Sequence, residues 1–307
     1  MALPDYYLLF DHVKIHNANA ISSPLTYGFP AISGFLGAIH ALSRKIESEN
    51  PIYLDGVLIA CHECDVQVYR PNNYADYIFR LTRNPLAKNG STRSIIEEGR
   101  VHLDVSLVVE VKVRSRSCLN KSEDKEEFIT QMKNKLYQQR IAGGYVESIE
   151  SVELFPAFKS HDDLIKALLP AFVLVEAPQD LQDITAELQH QDPNATALDA
   201  LIETAMLHHH PQEKDHWQTT SVKQGRGWLV PLHLGYQAIS PLFSAGKVEH
   251  ARSNEHATQF VECIYGLGKW VFPLRLKESL SQAFWRYKCS ELQSNDAEIY
   301  IINQETN

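Results

Sequence analysis

Between residues 7 and 155 the hydrophobic pattern changes period in a fixed order, alternating, helical, alternating, and then the same three again. Residues 7–16 alternate, with Tyr7, Leu9, Val13 and Ile15 on one face and Asp11 as the polar interruption. After a turn-rich loop, Ser33 is placed to cap a helix in which Phe35, Leu36, Ile39, Leu42 and Ile46 follow helical spacing. Residues 52–69 are β-rich. The run V-H-L-D-V-S-L-V-V-E-V-K-V at 101–113 is the clearest strand in the chain. An amphipathic helix at 125–139 carries Phe128, Ile129, Met132 and Leu136, and Gly143 with Gly144 can supply its positive-φ stop. Strands are expected again at 146–155 and 172–176. The order β-α-β-insertion-β-α-β predicts an α+β fold with a ferredoxin-like body, the order of RRM-like RNA-recognition folds.

The rest of the chain divides by charge. Residues 176–220 hold nine acids and one lysine, a net of −8, and predict an acidic helical segment with helices at 181–188 and 198–207. Residues 221–307 are mixed. The expected organisation is a body at 1–175 with an insertion at about 70–100, the acidic segment at 176–220, and a C-terminal region at 221–307 that packs on the body.

At 307 residues, 44% hydrophobic and 22% charged, the chain has the composition of a folded globular protein. It lacks the roughly 18 uninterrupted apolar residues of a membrane span, and its start lacks the basic region of a secretory signal. Five cysteines at irregular spacing fit a reducing compartment. The expectation is a soluble, cytoplasmic protein with no membrane contact.

The formal charge is −9, yet residues 78–96 contain Arg80, Arg83, Lys88 and Arg93 and no acid. Across 79–116 eight basic residues face four acidic ones, a net of +4. A basic loop in an acidic chain is the footprint of a polyanion site. Arginine grips phosphate in pairs and stacks on bases, and Asn84 and Asn89 can bond base edges or a 2′-hydroxyl. Asn17, Asn19, Ser22, Ser23 and Thr26 form a second polar loop, with Tyr27 and Phe29 available for stacking or for the core.

Other motifs carry less. Cys61-His-Glu-Cys64 resembles half of a zinc site, but residues three apart on a regular strand face opposite sides, so no metal is expected. His208-His-His210 reads as a solvated turn. Gly266-Leu-Gly-Lys269-Trp270 fails the phosphate-loop pattern, with Cys263 and Trp270 at positions that need Gly and Ser or Thr. No catalytic frame and no cofactor motif is present, although the histidines leave acid–base chemistry open.

Several runs resemble one family. They include Asn17-Ala-Asn-Ala-Ile-Ser-Ser-Pro-Leu-Thr-Tyr-Gly-Phe-Pro30, Phe35-Leu-Gly-Ala-Ile-His-Ala-Leu42, Leu81-Thr-Arg-Asn-Pro-Leu86 and Gly90-Ser-Thr92. Glu97-Glu-Gly-Arg100, Arg140-Ile-Ala-Gly-Gly144, Gly227-Trp-Leu-Val-Pro231, Gly235-Tyr236, Ser240-Pro-Leu242, and Phe260-Val-Glu262 with Gly266-Leu-Gly268 continue the series in order. The chain is similar to the Csy-two (Cas-five-f) subunit family of the type I-F CRISPR surveillance, or Csy, complex. The match is weakest at 176–220 and over the last thirty or so residues.

The resemblance implies a non-catalytic RNA-binding scaffold of the RAMP superfamily, with a thumb inserted in its ferredoxin-like body. Its implied partners are the CRISPR RNA, gripped at the 5′ handle, the large subunit and the first backbone subunit. The assembled complex would recognise target DNA. On this reading the thumb is the 70–100 insertion, and Asn17, Asn19, Ser22, Arg80, Arg83, Asn84, Lys88, Asn89, Arg93 and Arg140 are the candidate RNA contacts, with no catalytic residue and no cofactor. The alternative is a metal-independent CRISPR RNA-processing endoribonuclease, for which His40 and His102 are the residues to test.

Overall fold

The computed structural model describes residues 3–47, 51–114, 119, 121–212, 217–276, 280–291 and 298–304. Cys118 and residues 213–216 of the acidic segment lie outside the described residues. The protein is mixed α/β, with five α-helices among the described residues and antiparallel sheets. None of its described helices is long and apolar enough to cross a membrane. The chain forms two compact units, Met1–Val173 with Phe272–Leu280, and Leu174–Val271 with Ser281–Asn307.

In the first unit β1 (Tyr6–Asn19), α1 (Ile32–Glu47), β2 (Ile52–Val66), β3 (Arg100–Val113), α2 (Ser122–Tyr137), β4 (Gly144–Pro156) and the short α3 (His161–Ala167) follow one another. Their sheet runs β2–β3–β1–β4, antiparallel at each step. The two long central strands are the most apolar. Val101, Leu103, Val105, Leu107, Val108, Val109 and Val111 of β3 are all buried, as are Phe35, Leu36, Ile39, Leu42 and Ile46 of α1 and Phe128, Met132 and Leu136 of α2. Each fully buried side chain of this size contributes about 1.5–3 kcal/mol of transfer free energy. α1 is tied to β2 where the Leu54 N–H donates to Ser43 Oγ at 2.9 Å. α2 is tied to β4 where the Ile149 N–H donates to Tyr137 Oη at 2.9 Å.

Four local expectations need correction. First, Tyr7 and Leu9 do not share a face with Val13 and Ile15. The register passes from Phe10↔Leu107 to Val13↔Val105. A bulge with His12 at φ 44° therefore moves Val13 and Ile15 onto the face of Phe10. Second, α1 begins at Ile32, before Ser33, because its first turn already closes where the Gly34 N–H donates to the Ala31 carbonyl. Third, α2 ends at Tyr137, and Gly143 serves another purpose. The two-residue strand Arg140–Ile141 pairs with the start of β4 around Ala142 at φ 49° and Gly143 at φ 82°, a hairpin turn that needs positive φ at both central positions. Fourth, His208–Pro211 is a strand rather than a turn, paired antiparallel with Trp217–Thr220, with His209 Nδ1 2.9 Å from Thr219 Oγ1 and His210 Nε2 3.2 Å from Thr220 Oγ1.

The second unit contains the end of β5 (Phe172–Glu176), α4 (Pro178–Gln189), α5 (Ala197–Ala205), β6 (Trp228–Ala238), β7 (Val261–Val271), β8 (Trp285–Glu291) and β9 (Glu298–Gln304). Strands run in the order β7–β6–β9–β8. Ile184, Ala200, Leu201, Leu229 and Leu267 make its apolar cluster. Thr196 and Asp199 form a reciprocal capping box on α5.

Candidate nucleic-acid interface

One end of the first unit's sheet gathers several of the expected contact residues. Asn19 closes β1 opposite Arg100, the first residue of β3. The Ala20 N–H donates to the Gly99 carbonyl at 3.0 Å, and the Asn19 N–H to the Ala142 carbonyl at 2.9 Å. Arg140 pairs with Tyr145, which faces His16 across β1 and β4. Asn17, Asn19 and Arg140 are exposed along this rim. Asn17 lies in the left-handed region at φ 56°, which asparagine tolerates better than most residues.

The side chains divide by what they are already doing. The Asn19 amide accepts from the Ile21 N–H at 3.1 Å and donates to the Ile21 carbonyl at 2.9 Å, so it shapes the loop. Ser22 Oγ lies 2.6 Å from Thr26 Oγ1 and is spent in the same way. Asn17 and Arg140 have no side-chain hydrogen-bond partner among the described residues. Phe29 is partly buried and stacks on the core residue Phe35 at 5.5 Å. Tyr27 is 43% exposed and sits 5.0 Å from Phe79 at the root of the insertion. A Cβ on Gly99 would lie 2.6 Å from its ring, so glycine is what lets Tyr27 settle there.

The insertion is two successive short hairpins, the second of which carries most of the basic run. Its root is closed where the Gln67 N–H donates to the Arg100 carbonyl at 2.8 Å. Val68–Tyr69 then pairs with Ile78–Phe79, and Leu81–Arg83 with Ile95–Glu97. At the tip the Asn89 Oδ1 accepts from the Ser91 N–H at 3.0 Å, and Gly90 at φ 77° completes the turn. Arg80, Arg83, Asn84, Lys88, Asn89 and Arg93 are all exposed. Among the described residues no carboxylate pairs with Arg80, Arg83, Lys88 or Arg93, whereas Glu98 is taken by Arg100. The fold thus brings Asn17, Asn19, Arg140 and the insertion root together, and leaves Arg83, Asn84, Lys88, Asn89 and Arg93 farther out along the insertion. Arg80 is close enough to lower the pKa of His102.

Sequence reading missed a histidine row on the same sheet. His16 stacks on His102 at 4.5 Å, and Tyr145 lies 5.6 Å from His16. His16 Nε2 is 2.8 Å from Glu147, and the Asn17 N–H donates to His102 Nδ1 at 3.1 Å. Burial, the neighbouring His16 and Arg80 hold His102 below the usual imidazole value, with Asp65 and Glu147 opposing. Farther along β1, His12 stacks on His62 at 3.9 Å and its Nδ1 meets the Asp104 carboxylate at 3.0 Å. Burial opposes protonation of His12, but the hydrogen bond and charge of Asp104, helped by Asp11 and Glu150, outweigh it and raise its pKa. The signal that could have found the row is the alternation of His12, Lys14 and His16 with apolar residues.

Cys61 and Cys64 also need correction. A bulge between Cys61 and Glu63 sets Cys61 opposite Val105 and Cys64 opposite Leu103, so both cysteines face the same side. Burial pushes the Cys61 thiol up to about 12, and partial burial with the Asp65 charge pushes Cys64 up to about 11. Such thiols stay protonated and are weak nucleophiles. Gly266 and Gly268 lie within the extended strand β7, where Leu234 and Leu232 pack onto them, and not in a phosphate loop.

The relative CRISPR-associated protein Csy2 of Pseudomonas aeruginosa (strain UCBPP-PA14) is 37% identical over 304 residues, covering 92% of this chain and 91% of its own. The family model described as CRISPR-associated protein (Cas_Csy2) matches residues 8–301. A match of that extent, running through both units, shows that the chain belongs to the Csy2 family of CRISPR-associated proteins.

Proposed function

We propose that this protein is the non-catalytic subunit of a type I-F CRISPR RNA-guided DNA surveillance complex that binds the 5′ handle of the CRISPR RNA and pairs with the large subunit. The observation that carries the reading is the exposed insertion whose Arg80, Arg83, Lys88 and Arg93 lack carboxylate partners among the described residues, in a chain of net charge −9. Unneutralised cations on an acidic protein attract a polyanion at a defined place and discourage binding elsewhere. The strand order β2–β3–β1–β4, with one helix after β1 and one after β3, supports a ferredoxin-like body, and the insertion between β2 and β3 acts as its thumb. Asn17 and Arg140 at the rim, with Tyr27 half-exposed beside them, supply amide, guanidinium and ring contacts to single-stranded RNA. The acidic helices α4 and α5 face protein or solvent rather than RNA.

Expression with the other subunits of the complex, followed by sequencing of the RNA that purifies with it, tests this reading. Repeat-derived 5′ handles are expected; a complex that assembles without them contradicts it. The His16–His102–Tyr145 row favours one rival, a metal-independent RNA-processing endoribonuclease, since adjacent imidazoles can serve as acid and base. Labelled repeat RNA incubated with the chain in chelator stays intact under the scaffold reading. Defined cleavage that vanishes in His102→Ala, or in His40→Ala, overturns it.

A further inference from the structure

The second pair of histidines forms a cluster that the RNA reading leaves unused. Asp11, His12 and His62 each place one ligand atom within 4.8 Å of the others, and all three are half-buried on one face of the first unit's sheet. Two bulges create this meeting, one at His12 in β1 and one between Cys61 and Glu63 in β2.

Both histidines of the cluster are oriented from behind. His12 Nδ1 points at both oxygens of Asp104 at 3.0 Å. His62 Nδ1 is 2.8 Å from the Pro170 carbonyl, which can only accept, so that nitrogen carries a proton and, in the neutral ring, Nε2 keeps its lone pair. Ligating histidines in metal sites are held in this manner, with the far ring N–H given to a carboxylate or a backbone carbonyl.

Ser106 Oγ has three polar neighbours. It accepts the His12 backbone N–H at 3.1 Å. The same Oγ lies 2.7 Å from Asp11 Oδ1 and 2.8 Å from His62 Nε2. With a neutral His62 ring, one hydroxyl proton serves two acceptors, a carboxylate oxygen and an imidazole lone pair. A bound cation shared by Asp11 and His62 removes the conflict. Lys14 is the nearest cation in register, opposite Asp104 on β3, and no hydrogen bond or ion pair joins it to Asp11 or His62 among the described residues.

We propose that Asp11, His12 and His62 form a binding site for a divalent transition metal of the zinc class, with Asp104, Ser106 and the Pro170 carbonyl as outer partners. Two imidazoles and one carboxylate suit zinc, and the partial exposure leaves a coordination position for water. The stacked rings of His12 and His62 must splay for their lone pairs to converge, so binding is accompanied by a change in that stack. The role is to fix the open face of the sheet by joining β1 to β2 across β3.

The test is titration of the untagged full-length chain, stripped by chelator, with zinc by calorimetry and with cobalt by visible absorption. Binding of about one ion per chain is expected, with loss in Asp11→Asn and in His62→Ala, and retention in a His208→Ala/His210→Ala variant that removes the exposed histidine strand. Asp104→Asn, which leaves the ligands in place, is expected to weaken affinity by about 10- to 100-fold and decides the matter if His62→Ala fails to fold. Absence of stoichiometric binding overturns the proposal, as does binding that survives His62→Ala or disappears with His208 and His210.

Discussion

The Arg100 guanidinium donates through Nη1 to the carbonyl of Asn17 at 3.3 Å, joining the root of the insertion to the end of the first strand. The same guanidinium is ion-paired with Glu98. One side chain thus neutralises the acid nearest the insertion root and holds the strand end where Asn17 turns through positive φ.

Arg100→Ala is expected to reduce stability only slightly, by about 1 kcal/mol or less, because the pair is partly exposed. Its effect on RNA binding should be larger, since Glu98 is freed beside the basic hairpin and Asn17 loses its tether. Parallel chemical denaturation and RNA titration separate the two effects. A large stability loss with unaltered RNA affinity contradicts this assignment.

Gly144 opens β4 where it passes closest to β1. A Cβ there would lie 2.7 Å from the His16 carbonyl oxygen and 2.8 Å from the Ala18 nitrogen. Both are backbone atoms of a central strand, which cannot step aside as a flexible side chain can. Gly144→Ala should therefore cost roughly 1–3 kcal/mol, seen as a lower urea midpoint. An unchanged midpoint contradicts so close an approach of the two strands.

His233 in β6 is buried, and among the described residues neither ring nitrogen has a hydrogen-bond partner. Burial lowers its pKa, and the backbone of Gly235 offsets only part of that. Above its unfolded pKa of about 6.5 the group is neutral in both states and adds no pH dependence. As the pH falls below that value the unfolded chain takes up a proton that the folded chain resists, so stability drops until the lowered folded pKa is reached. His233→Leu should flatten this acid limb in unfolding measurements across the range below about pH 6.5. A variant with the wild-type slope assigns the acid sensitivity to other groups.

Much of the architecture is legible in the sequence because it rests on periodicity. The alternation of Val101 to Val113 and the helical spacing of Phe35 to Ile46 each correspond to one observed element, β3 and α1. The bulges at His12 and after Cys61 are not legible, since one extra residue in a ladder leaves the composition of the strand unchanged while reversing the faces beyond it. That is why Val13 and Ile15 change sides, why Cys61 and Cys64 share one, and why His12 and His62 meet unannounced. In the candidate interface, residue type marks Asn17, Arg80 and Arg140 as polar and cationic, but only the strand register places Asn17 beside Arg100 and Arg140 beside Tyr145. The roles of Asn19 and Ser22 as loop ties depend on hydrogen bonds two to four residues away, which composition does not encode.

The central claim is that the cations of the insertion hold CRISPR RNA, and it is tested most directly by the affinity of an Arg83→Glu/Arg93→Glu variant for the 5′ handle, measured across a salt series in the assembled complex. Both residues are exposed, so folding should be unaffected. The account predicts an affinity at least about tenfold lower and a salt dependence shallower by about 0.7 in log–log slope for each phosphate that is no longer neutralised. Unchanged handle affinity with an unchanged salt slope contradicts it.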